Sequence, residues 1–289
     1  MRTVTAETIT DVFMGYLADD VDPRTRQVMG ALVRHLHDFA REVGLTHEEW
    51  RRGIAFLEGC ADIESPGRHE FVLASDVLGL SSLVDMINSG AGGTSSSVLG
   101  PFHVAGAPPL PVGGDLRKDA EGPVLLATGR VLDAEGRPVG GATLDIWQTA
   151  PNGLYSTQDD GMDDMAFHGM QTVGADGRYA FTTVRPVEYT VPSDGPVGDI
   201  LRACGRHPWR PSHLHLIVEA TGFRPLVTEI FPEGDPYLDE DTVFGVREDL
   251  VMRYETMPAG SFPETGFDLS GKVKDDYLKV RFDLTLVPA

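Results

Sequence analysis

Two histidines separated by a single leucine occur twice in this chain, at His35–His37 and at His213–His215. Either pair has the residue types of a metal site, and the periodicity of the surrounding segment decides between them. On a helix, residues i and i+2 lie about 200° apart and do not face each other. On a strand they project from the same face. His35 and His37 sit in a run where Met29, Leu32, Leu36, Phe39 and Val43 recur at helical spacing. That pair is expected to diverge and to serve as surface or packing residues. His213 and His215 sit in HLHLIVEA, an alternating run, so their imidazoles are expected to converge as a metal requires.

Two imidazoles rarely complete a metal site, and three completions present themselves. Glu219 shares the strand parity of His213 and His215, and the order H-x-H-x-x-x-E resembles a cupin metal motif. The glycines that frame such a motif are misplaced, with Gly205 too far upstream and Gly222 too close downstream. A second completion is zinc with a carboxylate from elsewhere in the chain. The third uses phenolates from Tyr155, in APNGLYSTQDD, and Tyr189, in RPVEYTVPSDGPVG. Both tyrosines fall at loop-like ends of strands, where functional groups gather. A phenolate is a hard, strongly donating ligand that suits trivalent iron better than a soft or divalent metal.

These residues need elements to position them. Residues up to about 90 read as helical. Asp22 and Pro23 mark a helix start, and Gly44 marks its end. Thr46 and Glu49 have the spacing of a capping box for the next helix. A further helix is expected across ASDVLGLSSLVDMIN, starting near Ser75 or Asp76. The segment SGAGGTSSSVLGPFHVAGAPPLPVGGD is a linker or an ordered loop. Beyond it, two strand-like runs in GPVLLATGRVLDAEGRPVGGATLDIWQT are followed by DGRYAFTTV, HLHLIVEA and KVRFDLTLV. Short strands with turn signals between them predict an antiparallel sandwich or barrel. The expected class is α+β, with a helical region over 1–97 and a β domain over 98–289.

The composition narrows the function. The 289 residues carry 24 Lys and Arg against 44 Asp and Glu, a formal net charge of −20. Such a surface repels nucleic acid and anionic membranes. Two cysteines, Cys60 and Cys204, give neither a disulfide framework nor a Cys-rich zinc site. They fit reduced thiols in a cytoplasmic protein. MRTVTAETIT has no apolar signal region, and no window approaches the roughly 18 apolar residues that span a bilayer. Membrane insertion is not expected.

VLGPFHVAGAP, DIWQTAPNGLYS, GRYAFTTVRPVEYTVPSDGPVG, GRHPWRPSHLHLIVEA and DPYLDEDTVFGV occur in order along the chain. Together with the helical N-terminal region they resemble the intradiol ring-cleaving dioxygenases over nearly the whole length. That resemblance implies Fe(III) held by Tyr155, Tyr189, His213 and His215, with hydroxide as a fifth ligand. It implies an aromatic 1,2-diol opened by O2 between its hydroxyl-bearing carbons to a muconate-type diacid. Tyr189 would leave the iron and take up a substrate proton, and Arg210 would stabilise developing negative charge beside the ring. Glu219 would be structural. The N-terminal helices would form a homodimer interface, often with a phospholipid in an apolar tunnel.

Within the family, FVLASDVLG, TVPSDGPVG, GRHPW and VFGV look more like the branch that cleaves hydroxyquinol (benzene-1,2,4-triol) to 3-hydroxy-cis,cis-muconate, or maleylacetate. Catechol and chlorocatechol are the alternative substrates. Leu73 and Asp76, three residues apart, would share the helix face that roofs the ring. Asp76 would accept a hydrogen bond from the third hydroxyl, unless Ser75 or Asp76 is merely a helix cap. The rest of the pocket wall would be Val98, Gly100, Pro101, Phe102, Val191, Pro192 and Val243. Two positions depart from the pattern. Glu229, in LVTEIF, stands where catechol-cleaving relatives carry a glutamine near the iron. His103 stands where many relatives carry tyrosine. Outside the family, the competing readings are a divalent-metal cupin-like enzyme using His213, His215 and Glu219, and a non-catalytic β-sandwich binding module.

Overall fold

The helix signals of the N-terminal stretch are realised in the computed structural model, which describes residues 3–65, 67–118, 120–261 and 273–289. After α1 (Ile9–Met14) comes α2 (Pro23–Glu42). Asp22 caps α2, accepting from Thr25 N at 2.8 Å, and Pro23 occupies the first turn. Gly44, at φ +59°, follows its end. At the start of α3 (His47–Ile63), Thr46 N donates to Glu49 Oε2 at 2.9 Å and Glu49 N donates to Thr46 Oγ1 at 3.2 Å. His35 is exposed, while His37 Nδ1 pairs with Thr10 Oγ1 at 3.0 Å, so this pair diverges as the helix period requires. The apolar stripe on α2 is not core. Met29, Leu32, Leu36, Phe39 and Val43 are all between 38% and 55% exposed.

The helix expected to start near Ser75 or Asp76 is instead two helices, α4 (Glu70–Val77) and α5 (Leu80–Asn88). Gly79, at φ +75°, breaks them apart. The start of α4 lies five residues earlier than Ser75 because of partners that no local window reveals. Glu64 Oε2 accepts from Glu70 N, and the buried Glu70 carboxylate pairs with Arg68 and accepts from Val197 N at 3.0 Å. Neither Ser75 nor Asp76 is a cap, since His69 holds that position. Leu73 and Asp76 lie on one face of α4, and both are buried.

The chain divides into two compact units, residues 1–59 and 60–289. The second unit contains α4, α5 and all the strands. These are β1 (Gly114–Asp115), β2 (Val124–Asp133), β3 (Thr143–Trp147), β4 (His168–Thr172), β5 (Arg178–Val184) and β6 (Tyr189–Thr190). After α6 (Pro196–Ala203) follow β7 (Trp209–Arg210), β8 (Leu214–Glu219), β9 (Leu226–Pro232), β10 (Val251–Met252), β11 (Glu255–Met257), β12 (Tyr277–Arg281) and β13 (Leu284–Leu286). One sheet is ordered β1-β5-β2-β12-β11, with β13 also on β2. The other is ordered β10-β9-β8-β3-β4, and β6 and β7 form a separate ribbon. Leu125, Phe181 and Val280 of the first sheet meet Leu144, Leu216 and Ile230 of the second in one core. The result is a β-sandwich in an α+β chain.

Two details differ from a simple antiparallel meander. β1 runs parallel to β5, β10 parallel to β9, and β12 and β13 parallel to β2. The alternating run KVRFDLTLV is two strands, parted at Phe282–Asp283, where Asp283 Oδ1 accepts from Arg130 N. β2 and β3, neighbours in sequence, belong to opposite sheets. The Gly/Ser/Pro-rich segment after α5 is an ordered loop without helix. It is pinned by Ser97 N to Val227 O at 3.0 Å and delivers Ser97 to His103 to one end of the second sheet.

Candidate metal centre and its cavity

The second sheet lines up a row of side chains. His168 on β4, Trp147 on β3, His215 on β8 and Glu229 on β9 lie directly opposite one another. Opposed residues share a sheet face. The Trp147 ring stacks on the His215 ring, centroids 4.6 Å apart and planes 2° from parallel. His213 has the parity of His215 and immediately precedes β8. On the two-stranded ribbon, Tyr189 lies opposite Arg210. Tyr155 comes from the turn after β3, where Leu154 N donates to Asn152 Oδ1 and Gly153 takes φ +79°. A Cβ on Gly153 would also stand 3.4 Å from Tyr189 Cβ, so glycine serves both the turn and the approach of the two tyrosines.

These four residues converge. Tyr155 Oη lies 3.2 Å from Tyr189 Oη, 3.4 Å from His213 Nε2 and 3.0 Å from His215 Nε2. The two Nε2 atoms are 3.0 Å apart. All four residues are buried. Phe102 stacks on Tyr155 at 4.8 Å and closes one side. Burial holds both imidazoles neutral, the His213 pKa falling to about 3 with Arg210 adding to the effect, and His215 falling well below its usual value. Burial likewise pushes both phenols up, Tyr155 furthest because Tyr189 is so near.

The donor set fits a metal ion. His213 Nδ1 donates to Pro211 O at 2.7 Å, so its Nε2 lone pair faces the cluster. Arg210 Nη1 approaches that lone pair at 3.2 Å. Ligands about 2.1 Å from a shared ion stand roughly 3.0–3.4 Å from one another, which matches the spacing of these four atoms. Two neutral imidazoles and two phenols would neutralise most of a trivalent charge once the phenols lose their protons. A hard cation is what would draw those protons off against burial. The cupin-like set is not assembled, since Glu219 is exposed at the end of β8.

Behind the histidines lies a buried charge cluster. Arg210 donates to Glu229 through Nη1 and Nη2, at 2.9 and 3.0 Å, and to Asp241 through Nε and Nη2, at 3.0 and 3.2 Å. Burial opposes the Arg210 charge, but Asp241 and Glu229 outweigh it and hold the guanidinium pKa well above its usual value. Burial also works against Glu229, and Arg210 again prevails, so this carboxyl stays below the ordinary range. Ser97 Oγ donates to Glu229 Oε2 at 2.6 Å. Gly245 permits the packing, because a Cβ there would lie 2.7 Å from both Arg210 Nη2 and Glu229 Oε2.

A cavity of about 450 Å³ adjoins this centre and is lined by Asp76, Ser81, Ser97, Val98, Gly100 and Pro101 among others. A Cβ on Gly100 would stand 3.7 Å from His215 Cε1, so this wall residue neighbours His215, while none of the four donor residues lines the cavity itself. Of the residues named from sequence as pocket wall, Asp76, Val98, Gly100 and Pro101 line this space. Leu73, Phe102, Val191 and Val243 are buried, and with Pro192 and Arg210 they lie outside its wall. Burial raises the Asp76 carboxyl pKa, against the nearby Ser81 hydroxyl and the attraction of Arg210.

His103 also finds its place. Its Nε2 lies 3.0 Å from Asp145 Oδ2, and His168 Nε2 lies 2.6 Å from Asp145 Oδ1. Among the described residues, this group and His213–His215–Glu229 are the two that gather three potential metal-binding side chains with donor atoms within 4.8 Å. In the first, the carboxylate already satisfies both imidazoles, and the His103 ring packs edge-on against Trp147 at 4.7 Å. It braces the tryptophan that backs His215. Trp147 and Asp241 escaped the sequence reading, which had no means of pairing them with the histidines.

The chain matches two family models, one described as "Dioxygenase" over residues 101–288 and one as "Catechol dioxygenase N terminus" over residues 22–94. A 6-chlorohydroxyquinol 1,2-dioxygenase of Cupriavidus pinatubonensis is 44% identical over 91% of this chain and 96% of its own length. An intradiol ring-cleavage dioxygenase of Aspergillus niger is 38% identical over 99% of this chain and 86% of its own. The solved structure of hydroxyquinol 1,2-dioxygenase from Pseudomonas putida superposes with a TM-score of 0.90 at 41% identity, covering 98% of this chain and 99% of that one.

Proposed function

The chain belongs to the intradiol ring-cleavage dioxygenases, and on that premise we propose that it opens hydroxyquinol between the two adjacent hydroxyl-bearing carbons. The reaction inserts both atoms of O2 and gives 3-hydroxy-cis,cis-muconate, or its tautomer maleylacetate. The observation that carries this reading is a two-tyrosine, two-histidine cluster neighbouring, through Gly100, a cavity whose wall holds the buried Asp76. The family uses non-haem iron. In this chain Tyr155, Tyr189, His213 and His215 would hold it as Fe(III). When bound, Fe(III) lowers the pKa of the substrate hydroxyls and draws electron density from the ring.

The protein's own groups do the rest. His213 and His215 present neutral nitrogens held by Pro211 O and by stacking on Trp147. As the phenolate it would become on loading, Tyr189 Oη would take up a substrate hydroxyl proton. It is the phenol opposite Arg210, whose charge counters the effect of burial on its pKa. Phe102 and Trp147 cover Tyr155 and His215 with stacked rings. Asp76 lines the cavity, and we assign it the third hydroxyl of hydroxyquinol. That hydroxyl would satisfy a carboxyl group buried in a mostly apolar wall, whereas catechol would leave it without a substrate partner.

Specificity constants for hydroxyquinol, catechol and 4-chlorocatechol test this reading. Hydroxyquinol should exceed catechol by at least about tenfold, the value of roughly one hydrogen bond to a charged group. Asp76→Ala should erase most of that preference while retaining catechol turnover. A higher constant for catechol in the parent enzyme would reject the hydroxyquinol assignment in favour of the catechol or chlorocatechol alternative.

We assign residues 98–289 as the catalytic domain, with Asp76 and Ser81 of α4 and α5 completing its cavity wall, and 1–97 as a helical region that pairs two copies in a homodimer. The exposed apolar stripe on α2 supports the pairing and could shelter a phospholipid chain. Light scattering should give the mass of two chains, and a monomer at micromolar concentration would remove this assignment. Cys60 and Cys204 are unpaired, which suits a cytoplasmic setting. No helix among the described residues is long and apolar enough to cross a membrane.

A further inference from the structure

The buried carboxylate of Glu229 does more than fill space. Its Oε1 lies 3.3 Å from His215 Nδ1, and that nitrogen has no well-angled hydrogen-bond partner among the described residues. The same oxygen receives Arg210 Nη1 at 2.9 Å, and Oε2 receives Arg210 Nη2 and Ser97 Oγ. His215 therefore has Nε2 turned to the donor cluster and Nδ1 turned to a carboxylate. Oε1 also lies 3.5 Å from His213 Nε2, but the two histidines differ at Nδ1, because His213 Nδ1 donates to the neutral carbonyl of Pro211.

We propose that Glu229 is a positioning residue that fixes the His215 tautomer with Nδ1 protonated and places a negative charge behind His215. This rests on the assignment of His213, His215, Tyr155 and Tyr189 as the iron-holding set. A carboxylate accepting from a metal-bound imidazole raises the basicity of its other nitrogen and locks the ring orientation. Arg210 is shared between Glu229 and Asp241, so one guanidinium and two carboxylates leave this buried chain with a net negative charge. Only Glu229 connects that charge to an imidazole. Asp241 engages Arg210 and the N–H groups of Val243 and Gly245. The contact between Nδ1 and Oε1 is poorly aligned in the structure, and iron at Nε2 and a well-formed hydrogen bond at Nδ1 are expected to strengthen each other.

Glu229→Gln keeps the shape and removes the charge. In the iron-loaded enzyme it should lose about 10- to 100-fold in iron affinity, read by competition with a chelator. Its phenolate-to-iron absorption should move to longer wavelength, because the metal becomes easier to reduce when a nearby negative charge is removed. Asp241→Asn is the matched control. It removes a charge from the same cluster without touching His215, and its absorption maximum and iron affinity should stay close to the parent's. A Glu229→Gln enzyme with the parent's absorption and affinity overturns the proposal. So does an Asp241→Asn enzyme that shifts both by the same amount, since the effect would then be general to the cluster. If Glu229→Gln does not fold, Ser97→Ala loosens the carboxylate while keeping its charge, and unchanged chelator resistance there overturns the proposal as well. A parent enzyme that binds iron without visible absorption would instead contradict the tyrosine-ligand assignment on which the proposal rests.

Discussion

Arg210→Ala should lose about 3–5 kcal/mol of folding stability, and its turnover should fall on the order of a hundredfold to a thousandfold. The stability loss follows from what remains behind. Glu229 and Asp241 are both buried, and each relies on the guanidinium as its main charge partner. Deleting the cation strands two like charges in the buried interior, which is far costlier than losing a surface ion pair. The turnover loss follows from position, because Arg210 lies opposite Tyr189 and 3.2 Å from His213 Nε2. Arg210→Lys should recover little, since an ammonium cannot meet two carboxylates with a planar fork. Adding Glu229→Gln and Asp241→Asn to an Arg210→Met background, measured at saturating iron against a Glu229→Gln/Asp241→Asn reference, separates the two effects. Thermal denaturation should recover toward the parent, while turnover should not. Recovery of both would remove Arg210 from the reaction, and a parent-like melting temperature for Arg210→Ala would refute the charge cluster.

Tyr189→Phe is the second large effect. The ring remains to pack edge-on against Tyr155 at 5.5 Å, so the fold should hold. The lost atom is Oη, proposed both to bind iron and to accept a substrate proton. Removing a proton acceptor alone costs about 10²–10⁴ in rate, and loss of a ligand adds to it. Turnover measured at saturating iron should fall by at least this range, with an unchanged circular dichroism spectrum. Activity within tenfold of the parent would favour a site built on the histidines and a carboxylate, and with it a divalent metal.

Much of this site was legible in the sequence because strand parity is an unforgiving rule. The spacing of His213 and His215 put two imidazoles on one face, and helix periodicity dismissed His35 and His37 for the same geometric reason. The β8–β9 hairpin was also readable in principle. Gly222, at φ +88°, sits midway between His215 and Glu229, and an antiparallel turn centred there must place the two opposite each other. Applying that rule would have shown Glu229 facing the site. The hidden features depend on distant partners. Asp241 reaches Arg210 from a loop outside every strand, and the charge cluster exists only where Gly245 leaves room for it. The start of α4 was missed because Glu64 and Val197 secure it through tertiary contacts that no capping motif encodes. The pairing of Trp147 with His215 depended on β3 leaving β2 for the other sheet, a crossing that the turn between them does not reveal.

The central claim is that Tyr155, Tyr189, His213 and His215 bind a single ferric ion. The most direct measurement is the visible spectrum of the purified protein together with its iron content. The account predicts one iron per chain and a wine-red colour from phenolate-to-Fe(III) charge transfer, shifted in Tyr189→Phe and abolished when both tyrosines are replaced by phenylalanine. A protein with one iron per chain and no visible absorption would contradict it, as would a colour that survives the loss of both tyrosines.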